Sequence, residues 1–454
     1  MDYQIPYKNI YFIGIGGIGM SAIAKYFLSR GCIVKGYDKT PSVITLQLEK
    51  EGASIQFKED VSHMDESIDL VIWTPAIPRE SPLLSYCIQR GWPLLKRSQV
   101  LGLISKHSEV YGVAGTHGKT TTSSILTHLM WSCGLECSAF LGGIALNFNS
   151  NYVESTSNLV VMESDEYDRS FLQLTPKASI LTSMDPDHLD IYGNAQNLVE
   201  GYLQYCKQVD QDGILLIHHS LIKYFENWQG ARLMTYGIEF GDLQAINVGV
   251  ETSSICFDLI LANRILGRFS LPYPGRHNVE NALAAIGIVL HLGAKIEDIQ
   301  KGLISFKGVQ RRFQTIVRQD SRVFIDDYAH HPSELNAAIQ AAREFYPGEK
   351  LLGIFQPHLF SRTRDFVDEF AESLDMLDEA ILLPIYPARE SPIEGVTSRM
   401  IFDRMKLSEK AIVEYDDVVD FLKSRTFNVL LTLGAGDIDR KILNIKKEIF
   451  GDLN

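Results

Sequence analysis

A chain of 454 residues is too long for one ordinary hydrophobic core, and at roughly 100 to 200 residues per domain it calls for about three. Its 45% hydrophobic and 22% charged content is that of a folded globular protein, with no low-complexity run to suggest disorder. Lys plus Arg is 43 against 56 for Asp plus Glu, and the resulting charge of −13 repels a nucleic-acid backbone, which excludes a nonspecific nucleic-acid binder. No stretch approaches the ~20 consecutive apolar residues of a membrane helix. An acid, Asp2, precedes the first lysine and a glycine turn follows soon after, unlike a signal peptide. The expectation is a cytoplasmic protein with no membrane partner. The six cysteines are scattered, without a C-x-x-C pair, and read as buried free thiols, not disulfides or zinc ligands.

In chain order, the first hundred residues alternate apolar runs with helical stretches: Asn9 to Ile13, a glycine turn, a helix from Met20 to Arg30, then Ile33 to Tyr37 and Leu70 to Thr74. That rhythm predicts a parallel sheet covered by helices. Gly14-Ile15-Gly16-Gly17-Ile18-Gly19 lies between the first strand and the first helix, and Asp38 ends the second strand 19 residues after Gly19. The pattern is a dinucleotide fingerprint, yet its physics asks only for a diphosphate at a helix N-terminus and a carboxylate for ribose hydroxyls. A UDP-linked molecule fits it as well as NAD, and a purely structural turn is the remaining reading.

A new strand, turn and helix begin at Val110. Val110 to Ala114 enters Gly115-Thr116-His117-Gly118-Lys119-Thr120, and Thr121 to Met130 continues as a helix. Backbone N–H groups of such a loop converge on phosphate, the lysine reaches the β- and γ-phosphates, and the threonine hydroxyl binds magnesium. The loop departs from the strict G-x-x-x-x-G-K-T form, because Val113 stands where the first glycine belongs. The strand Leu159 to Met162 leads into Glu163-Ser164-Asp165-Glu166, which makes Glu163 the first candidate for magnesium, while Asp165, Glu166 and Asp168 read singly as solvated loop acids. Asp185 to Asp190 follows the apolar run Ala178 to Thr182, with His188 either a second metal ligand or a hydrogen-bonding loop histidine.

Ala245 to Leu271 alternates as antiparallel strands would, and a helix from Val279 to Leu292 follows. Asn278 and Asn281, three apart at its start, can read an adenine edge or ribose, with helix capping by Asn278 as the simpler role. The last third has strands at Val323 to Ile325, Leu351 to Phe355, Ala380 to Pro384 and Val429 to Leu433, and helices at Ser333 to Phe345 and Arg364 to Leu377. Asp326 to Pro332 and Phe355 to Arg364 place histidines and arginines at successive strand ends, as a small anionic substrate requires, with Arg364 equally readable as surface charge.

Gly14 to Met20, Gly115 to Thr121, Glu163 to Glu166, Asp187-His188-Leu189-Asp190, Gly275 to Asn281, Arg311-Arg312-Phe313, Asp326 to Pro332, Phe355 to His358 and Tyr386-Pro387-Ala388 occur in the order seen in the Mur ligase family, and the chain resembles that family over nearly its whole length. The resemblance implies a three-domain α/β enzyme. Residues 1–107 would form a Rossmann-like UDP-sugar-binding domain, 108–314 a central P-loop ATPase domain with a mainly parallel sheet, and 315–454 a Rossmann-like amino-acid-binding domain.

It further implies joining L-alanine to the lactyl carboxylate of UDP-N-acetylmuramate, with ATP as co-substrate and Mg2+ as cofactor. The alternative within the family is a recycling ligase that adds a tripeptide. Carried residue by residue, the UDP-sugar contacts are Gly14, Gly16, Gly17, Gly19 and Asp38. The ATP contacts are Gly115, Thr116, His117, Gly118, Lys119, Thr120, Thr121, His277, Asn278, Asn281 and Arg312. Thr120, Glu163 and His188 would hold metal, with Lys119, His188 and Glu163 catalytic, and Tyr328, His330, His358 and Arg362 would line the amino-acid site. Leu359 stands where arginine is common in the family, Tyr167 where a small residue is common, and no lysine precedes Lys207 where relatives adding later amino acids carry a carbamylated one.

Overall fold

The computed structural model describes residues 6–186, 189–251, 254–388 and 390–451. It contains three sheets. The first is fully parallel, in the order Ser54–Gln56, Ile33–Tyr37, Asn9–Ile13, Leu70–Trp73, Leu94–Lys96. Because the chain runs outward from Asn9–Ile13 in both directions, the glycine turn after that strand opens at the switch point of the sheet, where a ligand crevice forms. The predicted helix is there, as Ile18–Ser29.

The second sheet has ten strands. At its centre Glu109–Ala114 is paired in parallel with Leu159–Ser164 on one side and Pro176–Leu181 on the other. Beyond Leu159–Ser164 come Ser138–Ala145 and the antiparallel Ser150–Val153. Beyond Pro176–Leu181 come Ile214–His218, Arg232–Ile238, Leu243–Glu251, Ser254–Leu261 and Arg264–Leu271. Ala262 and Asn263 both have positive φ, the geometry of a tight two-residue hairpin turn, in keeping with the antiparallel alternation of that segment.

The helix Lys119–Ser132 begins with three threonines and two serines, an unusual sequence for a buried helix, yet Thr122, Ser123, Ser124 and Thr127 are fully buried. Small side chains allow close packing, and the hydroxyls of Ser123 and Thr127 are satisfied by carbonyls of the preceding turn, Thr120 O at 3.1 Å and Ser123 O at 2.7 Å. On the other side of the sheet Tyr205 stacks on Phe171 at 5.1 Å and donates or accepts bonds at 2.9 Å to Ser164 Oγ and Ser179 Oγ, so one phenol ties together the strands flanking Glu109–Ala114.

The first two sheets share a hydrophobic core, in which Tyr26 of the first helix meets Phe140 and Tyr152 at 5.6 and 6.2 Å. The first sheet and most of the second fall in one compact unit, Met1–Asn247, Phe257–Ser270 and Val279–Lys307; the other unit is Val248–Cys256, Leu271–Asn278 and Gly308–Asn454. The latter holds the third sheet, ordered Gln314–Arg318, Val323–Asp327, Val429–Leu433, Leu351–Phe355, Glu379–Leu382, Lys410–Ile412, parallel except for its first strand. The single helix expected from Arg364 to Leu377 is instead two, Phe360–Asp365 and Val367–Leu374, divided at Phe366, whose φ of −122° is not helical. Among the described residues no helix is long and apolar enough to cross a membrane.

The phenol of Tyr205 lies where a Cβ on Gly112 would stand. Gly112→Ala is therefore expected to destabilise the unit by about 1–3 kcal/mol through overpacking. Adding Tyr205→Phe should recover part of that loss, a non-additivity that thermal unfolding of the two single variants and the double variant will measure.

Candidate functional site

Strand register builds the central site. Val113 pairs with Glu163 and Ala114 with Ser164, so the loop leaving one strand and the acids leaving its neighbour emerge side by side. The loop turns through Gly115 at φ +134° and Gly118 at φ +79°, conformations that favour glycine, and Gly118 caps the helix without a side-chain bond to its free N–H groups. Its rim is fastened to the adjoining strand end: Thr116 N and His117 N donate to Ser183 O and Ser183 Oγ at 3.3 and 2.9 Å, and Thr116 Oγ1 donates to Asp185 O at 2.8 Å. His117 itself is exposed.

Lys119 folds back into this loop. Its ammonium donates to Gly115 O at 2.6 Å and Thr116 O at 3.2 Å, and pairs with Glu166 at 2.9 Å. Burial disfavours its charge, but Glu166, Asp165 and Glu163 together outweigh that and hold its pKa above the usual lysine value. The same burial pushes the Glu166 carboxyl up, with Lys119 opposing. Glu166 is 1% exposed, far from the solvated acid expected of it, and Tyr192 donates to its carbonyl at 2.8 Å. The sequence signal available was an acid following an acid that had already been singled out, which does not distinguish the two.

Thr120 Oγ1 donates to Glu163 Oε1 at 3.1 Å, and Gly142 N donates to Glu163 Oε2 at 2.9 Å. The hydroxyl and carboxylate are thus neighbouring oxygen donors at the C-terminal edge of the sheet, the ligand chemistry that a hard cation such as magnesium prefers. Among the described residues no group of three or more His, Cys, Asp and Glu could hold a metal. His188 lies outside the described residues. Thr121 is buried in the helix. Asn281, 7% exposed, accepts from Thr122 Oγ1 at 3.0 Å, so one edge of its amide braces the helix of the loop.

At the N-terminal turn, Gly14 N and Ile15 N donate to Tyr37 O at 2.8 and 3.0 Å. Asp38 turns inward, and its Oδ2 accepts from Gly16 N at 2.8 Å, so the carboxylate shapes the turn. Gly17 begins the helix Ile18–Ser29 with no side-chain cap, and Gly19 lies against the guanidinium of Arg97. Arg97 was not among the residues singled out from sequence.

In the other unit Asn278, 3% exposed, bonds Pro274 O through Nδ2, a local turn contact, and the His277 ring packs on Gly275. Arg312 and Arg311 lie 5.2 and 5.0 Å from the Tyr328 ring. Tyr328, His330, His358 and Tyr386 follow one another edge to face or stacked at 5.2, 5.7 and 5.9 Å. The His330 Nδ1 is 2.9 Å from Tyr328 O and 3.4 Å from Glu334 Oε2. His358 Nδ1 and Arg362 Nη1 are buried without a hydrogen-bond partner, an arrangement that costs energy unless a ligand completes it. Leu359, between them, has φ +72°, a strained value for leucine, while Arg364 points to solvent and pairs with Asp365 at 2.7 Å.

The fold and these sites define a phosphate-loop α/β protein whose first and third sheets flank the loop-bearing one in sequence. Residues 9–109 match the Mur ligase family catalytic domain, 113–289 the Mur ligase middle domain, and 311–436 the Mur ligase glutamate ligase domain. A UDP-N-acetylmuramate–L-alanine ligase of Parabacteroides distasonis is 45% identical over 445 residues, covering 96% of each chain. The crystal structure of a UDP-N-acetylmuramate-alanine ligase from Thermotoga maritima superposes with a TM-score of 0.86 at 28% identity, covering 97% of this chain and 99% of that one. A murein peptide ligase from Psychrobacter arcticus, with a TM-score of 0.71 and 20% identity over 98% of this chain and 99% of its own, shares the fold. The chain belongs to the Mur ligase family.

Burial first, then His330 and Arg362, lower the His358 pKa to about 4, and burial likewise lowers that of His330. With its folded value below the ordinary ~6.5, His358 contributes stability that is present above that pH and lost as the pH falls through about 4. Imidazole resonances, assigned with His358→Gln, should show His358 neutral down to pH 5. Arg362→Gln should move both histidine pKa values upward.

Proposed function

We infer that this chain is an ATP-dependent ligase that joins L-alanine to the lactyl carboxylate of UDP-N-acetylmuramate. It releases ADP and phosphate and supplies UDP-N-acetylmuramoyl-L-alanine for peptidoglycan precursor synthesis in the cytoplasm. The observation that carries this reading is Lys119 at the start of its helix, beside the Thr120 and Glu163 oxygens, in a chain 45% identical from end to end to a ligase of that name.

Phosphoryl transfer to a carboxylate brings anions together, so catalysis is mainly positioning and charge neutralisation. The loop Gly115 to Thr121 cradles the ATP phosphates, whose oxygens take over the Lys119 hydrogen bonds now made to Gly115 O, Thr116 O and Glu166. Thr120 and Glu163 would hold magnesium, and His188 would orient a second ion. When bound, magnesium would supply the positive charge that phosphoryl transfer between anions needs. His277, Asn278, Asn281 and Arg312 contribute nucleotide contacts. The lactyl carboxylate attacks the γ-phosphorus, ADP departs, and an acyl phosphate forms. The alanine amine then attacks its carbonyl carbon through a tetrahedral intermediate, loses its proton and expels phosphate.

Gly14, Gly16, Gly17 and Gly19 hold the UDP-sugar at the helix N-terminus, and Asp38 keeps the turn in shape. Arg362 pairs with the alanine carboxylate in a pocket completed by Tyr328, His330 and His358, which answers the unpartnered nitrogens of His358 and Arg362. The three functional domains are 1–107, 108–314 and 315–454.

Phosphate release with ATP, magnesium and UDP-N-acetylmuramate tests this directly. L-Alanine should support turnover, and Lys119→Ala should reduce it by about 10²–10³-fold or more. Faster turnover with a tripeptide, or full activity in the variant, would overturn the assignment.

A further inference from the structure

Arg97 opens the helix Arg97–Ser105 directly after Leu94–Lys96, whose pairing with Leu70–Trp73 brings it to the same edge of the first sheet as the glycine turn. Its guanidinium lies so close to Gly19 that a Cβ there would stand 2.5 Å from Nη1. On its other side Nη2 donates to Asp165 Oδ2 at 3.0 Å. Asp165 is itself fixed, since its Oδ1 accepts from Tyr167 N at 3.0 Å and its carbonyl from Phe171 N at 2.9 Å. The acids of the central site lie within two residues of Asp165 along the chain: Glu163 holds Thr120, and Glu166 holds Lys119. Lys96 makes a second link to the same short segment, at 2.8 Å from Asp168.

Partly solvated pairs of this kind contribute little to stability. Their geometry is more informative, because one planar guanidinium with donors on several edges lies against Gly19 of the first turn and holds Asp165, whose chain neighbour Glu166 pairs with Lys119 of the second. We propose that Arg97 is a positioning residue that couples occupancy of the UDP-sugar turn to the ATP site. An anion at the start of Ile18–Ser29 engages the Nη1 edge, the Nη2 edge carries that constraint to Asp165, and the acid segment then presents Glu163 and Glu166 to Thr120 and Lys119. The proposal rests on the assignment of the glycine turn to the UDP-sugar diphosphate.

Coupling between sites is reciprocal, so it is readable from either ligand. Calorimetric titration of a non-hydrolysable ATP analogue with magnesium, without and with saturating UDP-N-acetylmuramate, measures it in the full chain. In the unaltered protein the sugar nucleotide should tighten analogue binding by about fivefold or more. Arg97→Lys keeps the charge but loses the fork, and Asp165→Asn cuts the link from the other end; each should bring that ratio to within about twofold of unity. Arg97→Lys should also weaken the binding of UDP-N-acetylmuramate measured without nucleotide about tenfold, while Asp165→Asn leaves that affinity nearly unchanged, a split that a merely structural pair would not produce. A preserved ratio in both variants, or a ratio of one in an unaltered protein that does bind the sugar nucleotide, overturns the coupling. An unaltered protein that fails to bind UDP-N-acetylmuramate at all overturns the functional assignment and the coupling with it.

Discussion

A lysine ammonium can be withdrawn from water only where oxygens replace its hydration, and much of the central site follows from meeting that condition for Lys119. Two carbonyls of its own loop and the buried Glu166 supply the oxygens. For the carbonyls to converge, the loop must turn through positive φ at Gly115 and Gly118. For Glu166 to be in reach, the strand carrying it must lie beside the strand feeding the loop, in the register that pairs Val113 with Glu163. That register is in turn held by Tyr205, whose hydroxyl meets Ser164 and Ser179 on either side of Gly112. The cation, the acids and the strand packing are one linked arrangement.

The two glycine-rich turns of the first unit share a plan, a parallel strand running into a helix with an uncapped N-terminus, but differ in their charged partner. In the first, the carboxylate of Asp38 accepts from a loop amide, which stiffens the turn. In the second, a cation donates to loop carbonyls. The Lys119 ammonium is thus charged despite its burial and is satisfied by its own loop and by Glu166. At the first turn the uncapped start of Ile18–Ser29 has the Arg97 guanidinium beside it.

The second unit treats its buried charges in two ways. Asp326 is fully buried, with its Oδ1 accepting from Thr432 Oγ1 at 2.6 Å and its Oδ2 in an ion pair with Arg311 Nε at 3.3 Å that makes no hydrogen bond, and Asp327 accepts from Phe313 N and Ala329 N at 2.6 and 2.7 Å, so these acids brace the turn that carries Tyr328. His358 Nδ1 and Arg362 Nη1 are left without such partners. The strained Leu359 backbone lies between those two residues in the chain.

Local chemistry was enough to read the strands at Asn9–Ile13, Ile33–Tyr37, Leu351–Phe355 and Val429–Leu433, and both glycine turns, from the sequence, because apolar runs and glycine spacing record constraints that act within a few residues. The same is true of Lys119, Thr120 and Glu163 as a set. The break at Phe366 was not legible, since the helical pattern continues through a point where only the packed chain turns aside. Nor were the burial of Glu166, the inward bond of Asp38, the amide of Asn281 on Thr122 or the place of Arg97 between two turns. Each of these depends on a partner tens of residues away, brought near by strand register, and an acid or arginine carries no mark in its own neighbourhood of which distant group it will meet. The sequence by itself thus determined the α/β class, its phosphate loop and the family; the folded chain decided which charges are buried, paired or left without a hydrogen-bond partner.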